Sequence, residues 1–115
     1  MAWQHCKRLV IAVYHVTAAW PRAEQFGLVS QCRRAAVSAC ANIAEGASKR
    51  GPAEFARYLD IAHGSLSELD CLIELAEALG FCATHARNGL DAVRREAART
   101  TWGLLNAVRS RSRRK

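Results

Sequence analysis

The chain has 115 residues, half of them hydrophobic, 23% charged and only two proline, a composition that suits one mostly ordered globular domain and speaks against a disordered chain or two independent cores. Seventeen Lys and Arg stand against ten Asp and Glu for a net charge of +7, so the expected partner is anionic, a nucleic acid or a membrane surface. No run approaches the ~20 apolar residues of a spanning helix, and five cysteines without a C-x-x-C pair point to a reduced, cytoplasmic chain rather than a disulfide framework.

The first predicted helix covers residues 2–19. Trp3, Cys6, Val10, Val13, Thr17 and Trp20 recur in steps of three and four, the pattern of one buried stripe. Lys7 and Arg8 before an apolar stretch faintly imitate a signal peptide, but Tyr14, His15 and Thr17 interrupt it. Pro21 ends the helix by pushing Trp20 out of helical dihedrals.

The second helix is expected over residues 23–48, with Leu28, Cys32, Ala35, Ala39, Asn42 and Gly46 on one face and Val29, Ala36 and Ile43 beside it. Small side chains on that face let a neighbour approach closely, so this helix should be central. Residues 52–79 form the third, where Phe55, Leu59, Ala62, Leu66, Leu69, Ile73 and Ala76 make a heptad seam between Pro52 and Gly80. Beside it run Tyr58, Ser65, Leu72 and Leu79, which either complete the bundle interior or pack against another subunit.

The fourth helix is predicted over residues 84–109, carrying Leu90, Val93, Ala97, Thr101, Leu104 and Val108, and residues 110–115 are expected to be a basic, disordered tail. No strand alternation or hairpin signal occurs. The predicted fold is therefore all-α, an antiparallel up-down four-helix bundle over residues 1–109.

Charge is segregated along the chain. Residues 1–51 carry seven positive and two negative side chains, residues 52–86 one and six, and residues 87–115 nine and two. An acidic helix between basic ones can pair within a subunit or across a subunit contact. The candidate nucleic-acid-binding residues are Lys7, Arg8, Arg33, Arg34, Lys49 and Arg50, then Arg87, Arg94, Arg95, Arg99, Arg109 and Arg111. Arginine forks match phosphate oxygens and release counterions on binding, whereas a bare charge run is otherwise a solvated face. Few aromatics interleave with the arginines, which favours backbone and shape recognition of structured RNA or DNA over base stacking.

Catalytic or metal chemistry finds little support. Asp60 and His63 are the one helical carboxylate–histidine pair at i, i+3, half of what a di-iron bundle requires, and no P-loop, G-x-S-x-G, H-E-x-x-H or zinc-finger pattern is present. No enzyme, cofactor or metal is expected. Ser38, Asn42 and Glu45 lie on one helical face before Gly46; Asn42 is expected to fix helix register and Glu45 to pair with an arginine, with a ligand or RNA contact as the alternative.

Two strings carry a resemblance: Ser38-Ala39-Cys40-Ala41-Asn42-Ile43-Ala44-Glu45-Gly46 and Leu59-Asp60-Ile61-Ala62-His63-Gly64-Ser65-Leu66-Ser67-Glu68-Leu69. Ser38, Asn42, Glu45 and Gly46 are the motif positions of the first, Gly64, Ser65 and Glu68 those of the second. With Trp3, Tyr14, Thr17, Pro21, Phe26-Gly27-Leu28, Phe55 and Leu79-Gly80 in support, the chain resembles the four-helix-bundle family encoded in intervening sequences of bacterial large-subunit ribosomal RNA. The resemblance implies a cytosolic bacterial protein that assembles as a ring-like homopentamer, with a link to RNA and no cofactor. It extends to the accessory variability protein of diversity-generating retroelements, which partners a reverse transcriptase.

The combined expectation is a non-enzymatic homo-oligomer that binds structured nucleic acid, RNA above all, through a basic surface. Its alternative is a protein-interaction scaffold that docks a nucleic-acid enzyme such as a reverse transcriptase.

Overall fold

A computed structural model describes residues 1–113 and has four helices, with no strand among those residues. They are α1 (Ala2–Thr17), α2 (Leu28–Ala47), α3 (Pro52–Ala78) and α4 (Thr84–Arg113), with a short 3-10 turn at Arg22–Glu24. At 1.5 Å per residue the 30 residues of α4 reach about 45 Å, close to the 50 Å long axis of the molecule.

α1 packs against α2 and α4, and α3 packs against the same two helices; neither α1 and α3 nor α2 and α4 approach within 8 Å at Cα among the described residues. The core lies where the four apolar stripes meet, with Leu9, Leu59, Leu66, Leu69, Ile73 and Leu105 the largest fully buried side chains. The α3 seam read from the sequence is buried from Leu59 to Ala76, with Phe55 partly buried at its start.

The ends of α3 show why it starts and stops where it does. Pro52 occupies the first turn, where its missing N–H has no partner to lose, and Gly51 before it takes φ 83°. At the far end Gly80 adopts φ 81°, the Phe81 N–H donates to the Ala76 carbonyl at 2.9 Å and the Gly80 N–H to the Glu77 carbonyl at 3.0 Å. This paired closure satisfies carbonyls that the helix itself leaves open.

Three expectations are corrected here. α2 begins at Leu28 rather than 23, because residues 22–24 wind into a 3-10 turn and the Glu24 carboxylate accepts the Leu28 N–H at 3.2 Å, capping the helix from outside. α4 runs through residues 110–113, expected to be disordered; the helix simply continues past Val108, its last buried apolar residue. Residues 114 and 115 of that tail lie outside the described residues. In α1 the core takes Leu9 and Ala2, leaving Trp3 41% exposed; in α4 it takes Leu105, with Leu104 only partly buried.

Candidate nucleic-acid interface

The fold sorts the basic residues into two groups. On α4 the arginines up to Arg109 face carboxylates: Arg87 meets Glu77 at 2.5 Å, Arg94 lies between Asp91 at 3.1 Å and Asp70 at 3.6 Å, and Arg95 reaches Asp91 at 2.8 Å. Arg99 pairs with Glu96, and Arg109 reaches Asp60 at 3.4 Å. The hydrogen bond from Arg99 holds the Glu96 carboxyl below its usual range. Four of α3's six carboxylates are thus engaged by arginines, Glu54 by its own-helix neighbour Arg57 at 2.7 Å. The acidic helix foreseen between basic ones engages Arg87, Arg94 and Arg109 of α4 inside one subunit, while Arg111 and Arg113 meet no carboxylate among the described residues.

On α1 and α2 the cations stand differently. Lys7, Arg8 and Arg34 are exposed and Arg33 is half-buried, and no carboxylate lies within 4 Å of them among the described residues. Arg33 is held by hydrogen bonds instead, donating from Nε to the Thr17 hydroxyl at 3.0 Å and from Nη2 to the Tyr14 carbonyl at 3.5 Å. Its guanidinium carbon sits 4.4 Å from the centre of the Tyr14 ring, and the Lys7 ammonium 5.6 Å from that of Trp3. Such contacts order flexible side chains without cancelling their charge.

The remaining candidates gather at the α2–α3 turn. Arg50 is exposed there, Lys49 is tied to Glu45 at 3.1 Å, and Arg111 shares with Lys49, Gly51, Pro52 and Phe55 a recess of about 410 Å3. Glu45 therefore pairs with a lysine one turn on, not with an arginine.

The polar residues of the two signature strings form a structural cluster. Ser38 and Ser65 hydrogen-bond across α2 and α3 at 3.0 Å, while the Asn42 amide donates to the Ser38 carbonyl at 2.8 Å and its hydroxyl at 3.2 Å. Asn42 thus supports the serine that crosses between helices and does not itself cross. Gly46 brings α2 against Phe55 and Tyr58 of α3. Glu68 borders an open recess with Gln31, Arg34 and Ser38, and Gly64 has free space where a side chain would be.

His63 packs its ring 5.1 Å from that of Trp102, and Asp60 and Glu45 are occupied by their cationic partners. Among the described residues no three His, Cys, Asp or Glu converge to hold a metal ion. Burial raises the Cys6 thiol to about 11 and the Cys32 thiol to about 12, so neither is a ready nucleophile.

Sequence reading missed Arg22, Tyr14 and Phe26 as part of this surface and placed Trp3 in the core. Phe26 is 89% exposed, and Gly27 directly after it, a residue that weakens a helix interior, was the one local hint of a residue outside the stripe.

No helix among the described residues is long and apolar enough to cross a membrane. No curated protein matches the chain. Among solved structures, a protein of unknown function from the S23 ribosomal protein family of Bacteroides thetaiotaomicron is similar, with a TM-score of 0.84 and 16% identity over 91% of this chain and 98% of that one. At that identity the likeness speaks for the fold. The family model described as 23S rRNA-intervening sequence protein matches residues 1–101, a span that takes in α1, α2, α3 and both signature strings, and the chain belongs to that family.

Proposed function

We propose that this protein is a non-enzymatic, homo-oligomeric helical bundle of the cytoplasm that binds structured nucleic acid, RNA in particular, through the basic surface of α1 and α2. One observation carries the reading: Lys7, Arg8, Arg33 and Arg34 have no carboxylate within 4 Å among the described residues, whereas Arg87, Arg94, Arg95, Arg99 and Arg109 of α4 are each paired with one. Unpaired guanidinium and ammonium groups are what phosphate oxygens can engage with release of counterions. The family's link to ribosomal RNA by name agrees with such a partner.

Contacts such as Thr17 with Arg33, Gly46 with Tyr58, and Glu77 with Arg87 support an up-down, antiparallel course, since each joins the end of one helix to the start of the next. Self-association, as a pentamer by resemblance, is supported by Ile61 and Leu75 of α3 and Leu79 just past its end, which remain 43%, 48% and 60% exposed. The same exposed residues favour the second reading, a scaffold that docks a nucleic-acid enzyme. Pull-down from cell extract with and without nuclease separates the two, because a protein partner that survives nuclease supports the scaffold.

The test of the RNA reading is titration of a structured ribosomal-type RNA at ionic strengths of about 50 and 200 mM, between which phosphate-driven binding weakens steeply. The Lys7→Gln, Arg8→Gln, Arg34→Gln variant should bind more weakly and with a flatter salt slope. The Arg94→Gln, Arg95→Gln, Arg99→Gln variant should bind nearly as the parent does. Affinity no greater than that of an equally charged control protein would remove the reading.

A further inference from the structure

The seam between α1 and α2 is a row of three adjoining recesses of about 250, 390 and 380 Å3. Val37 is common to the first two, and Val29, Gln25 and Arg33 to the last two. The row runs from Trp3 at the start of α1 to Thr17 at its end, about 20 Å at 1.5 Å per residue. Its walls hold three accessible aromatic rings, Trp3 at 41%, Tyr14 at 45% and Phe26 at 89% exposure. They also hold four cations, Lys7, Arg22, Arg33 and Arg34, and no carboxylate. Rings that are 11 and 12 residues apart in sequence are thus brought to one groove among cations that have no carboxylate within 4 Å among the described residues.

We infer that this groove takes a single-stranded stretch of RNA, its unpaired bases stacked on Trp3, Tyr14 and Phe26 and its phosphates on Lys7, Arg22, Arg33 and Arg34. The inference rests on the RNA reading above and names the part of the RNA that is held. Apolar rings alone would suit any greasy partner; the charge selects a polyanion, and a polyanion with exposed flat faces is an unpaired strand. Arg33 is already fixed over Tyr14 by its bonds to Thr17 and to the Tyr14 carbonyl, so ring and guanidinium form a preorganised platform. Base–aromatic stacking of this kind tolerates any sequence because every base has a flat face. Twenty ångströms accommodates about six nucleotides at the 3.4 Å rise of a stacked strand.

Three RNAs of equal length discriminate the idea: a ten-nucleotide oligouridine, an abasic ribose-phosphate decamer, and a ten-base-pair duplex. Oligouridine should bind about tenfold or more tightly than the abasic strand, and Trp3→Ala and Phe26→Ala should each erode that ratio while leaving the salt slope unchanged. Phe26 makes so little contact with the fold that its variant tests recognition even if Trp3→Ala unfolds. Equal affinity for oligouridine and the abasic strand, or ring variants that leave their ratio intact, would overturn the stacking site while leaving phosphate binding standing. Ring variants that dissociate the oligomer in sedimentation, with that ratio unchanged, would assign the groove to a second copy of the chain and overturn it likewise. Failure of all three RNAs and of the ribosomal-type RNA to bind would sink both readings together.

Discussion

Gly46 on α2 faces Tyr58 on α3 so closely that a Cβ added to the glycine would lie 2.7 Å from the Tyr58 Cβ and 3.0 Å from the Phe55 ring. Neither neighbour is the free end of a flexible chain, since the Tyr58 Cβ is fixed to its backbone and the Phe55 carbonyl stands 3.4 Å away. One methyl group therefore forces the two helices apart. Gly46→Ala should lower unfolding free energy by about 1 to 3 kcal/mol despite the better helix propensity of alanine. Urea denaturation checks this, and a variant as stable as the parent would show that the helices separate without cost.

Gly64 gives the opposite expectation. It lies inside α3 with nothing within 4 Å of the position a Cβ would take, so alanine there brings helix propensity without a clash. Gly64→Ala should stabilise the monomer fold by about 0.5 to 1 kcal/mol. Thermal melts of the two glycine variants side by side make the contrast direct. A destabilised Gly64→Ala would mean that another surface approaches this point in solution.

The arginines of α4 should differ in what they contribute to stability. Arg94 has a side chain only 13% exposed and answers two carboxylates on two helices, whereas Arg95 and Arg99 are each 69% exposed with partners one turn away on α4. Arg94→Gln leaves Asp70 facing a neutral group and Asp91 with Arg95 alone, and should cost about 1 to 2 kcal/mol. Arg95→Gln and Arg99→Gln should leave the urea midpoint close to that of the parent. Equal effects from all three would mean that the link between α3 and α4 does not depend on Arg94.

Alkaline solution should weaken the fold through its buried thiols. Burial raises Cys6 to about 11 and Cys32 to about 12 from an ordinary value of 9. The folded state therefore keeps its protons where the unfolded state gives them up. The contribution is complete below pH 9 and is lost as pH rises from 9 through the folded values, at most about 1 kcal/mol per thiol by pH 10. Comparing urea midpoints at pH 8 and pH 10 should show a smaller loss for Cys6→Ala, Cys32→Ala than for the parent. Alkylation of the native protein should begin at exposed Cys71.

The helical repeat was legible because it is local. Steps of three and four marked the α3 seam, and the structure buries those residues from Leu59 to Ala76. Pro52 and Gly80 marked its ends for reasons that belong to their own backbones. Where two adjacent apolar residues competed, as Leu9 with Val10 or Leu104 with Leu105, period alone did not choose between them. The direction of the core did, and that is set by which helices flank the stripe.

The charge map needed the tertiary structure for the same reason. By itself the sequence determined four amphipathic helices, the signature strings that place the chain in its family, and an acidic segment between basic ones. Packing α3 beside α4 set carboxylates against Arg87, Arg94 and Arg109, and packing α1 beside α2 left Lys7, Arg33 and Arg34 among Trp3, Tyr14 and Phe26. Periodicity depends on neighbours three and four residues away. The pairs that tie α3 to α4 join residues ten to forty-nine positions apart, and only the packed helices bring those together.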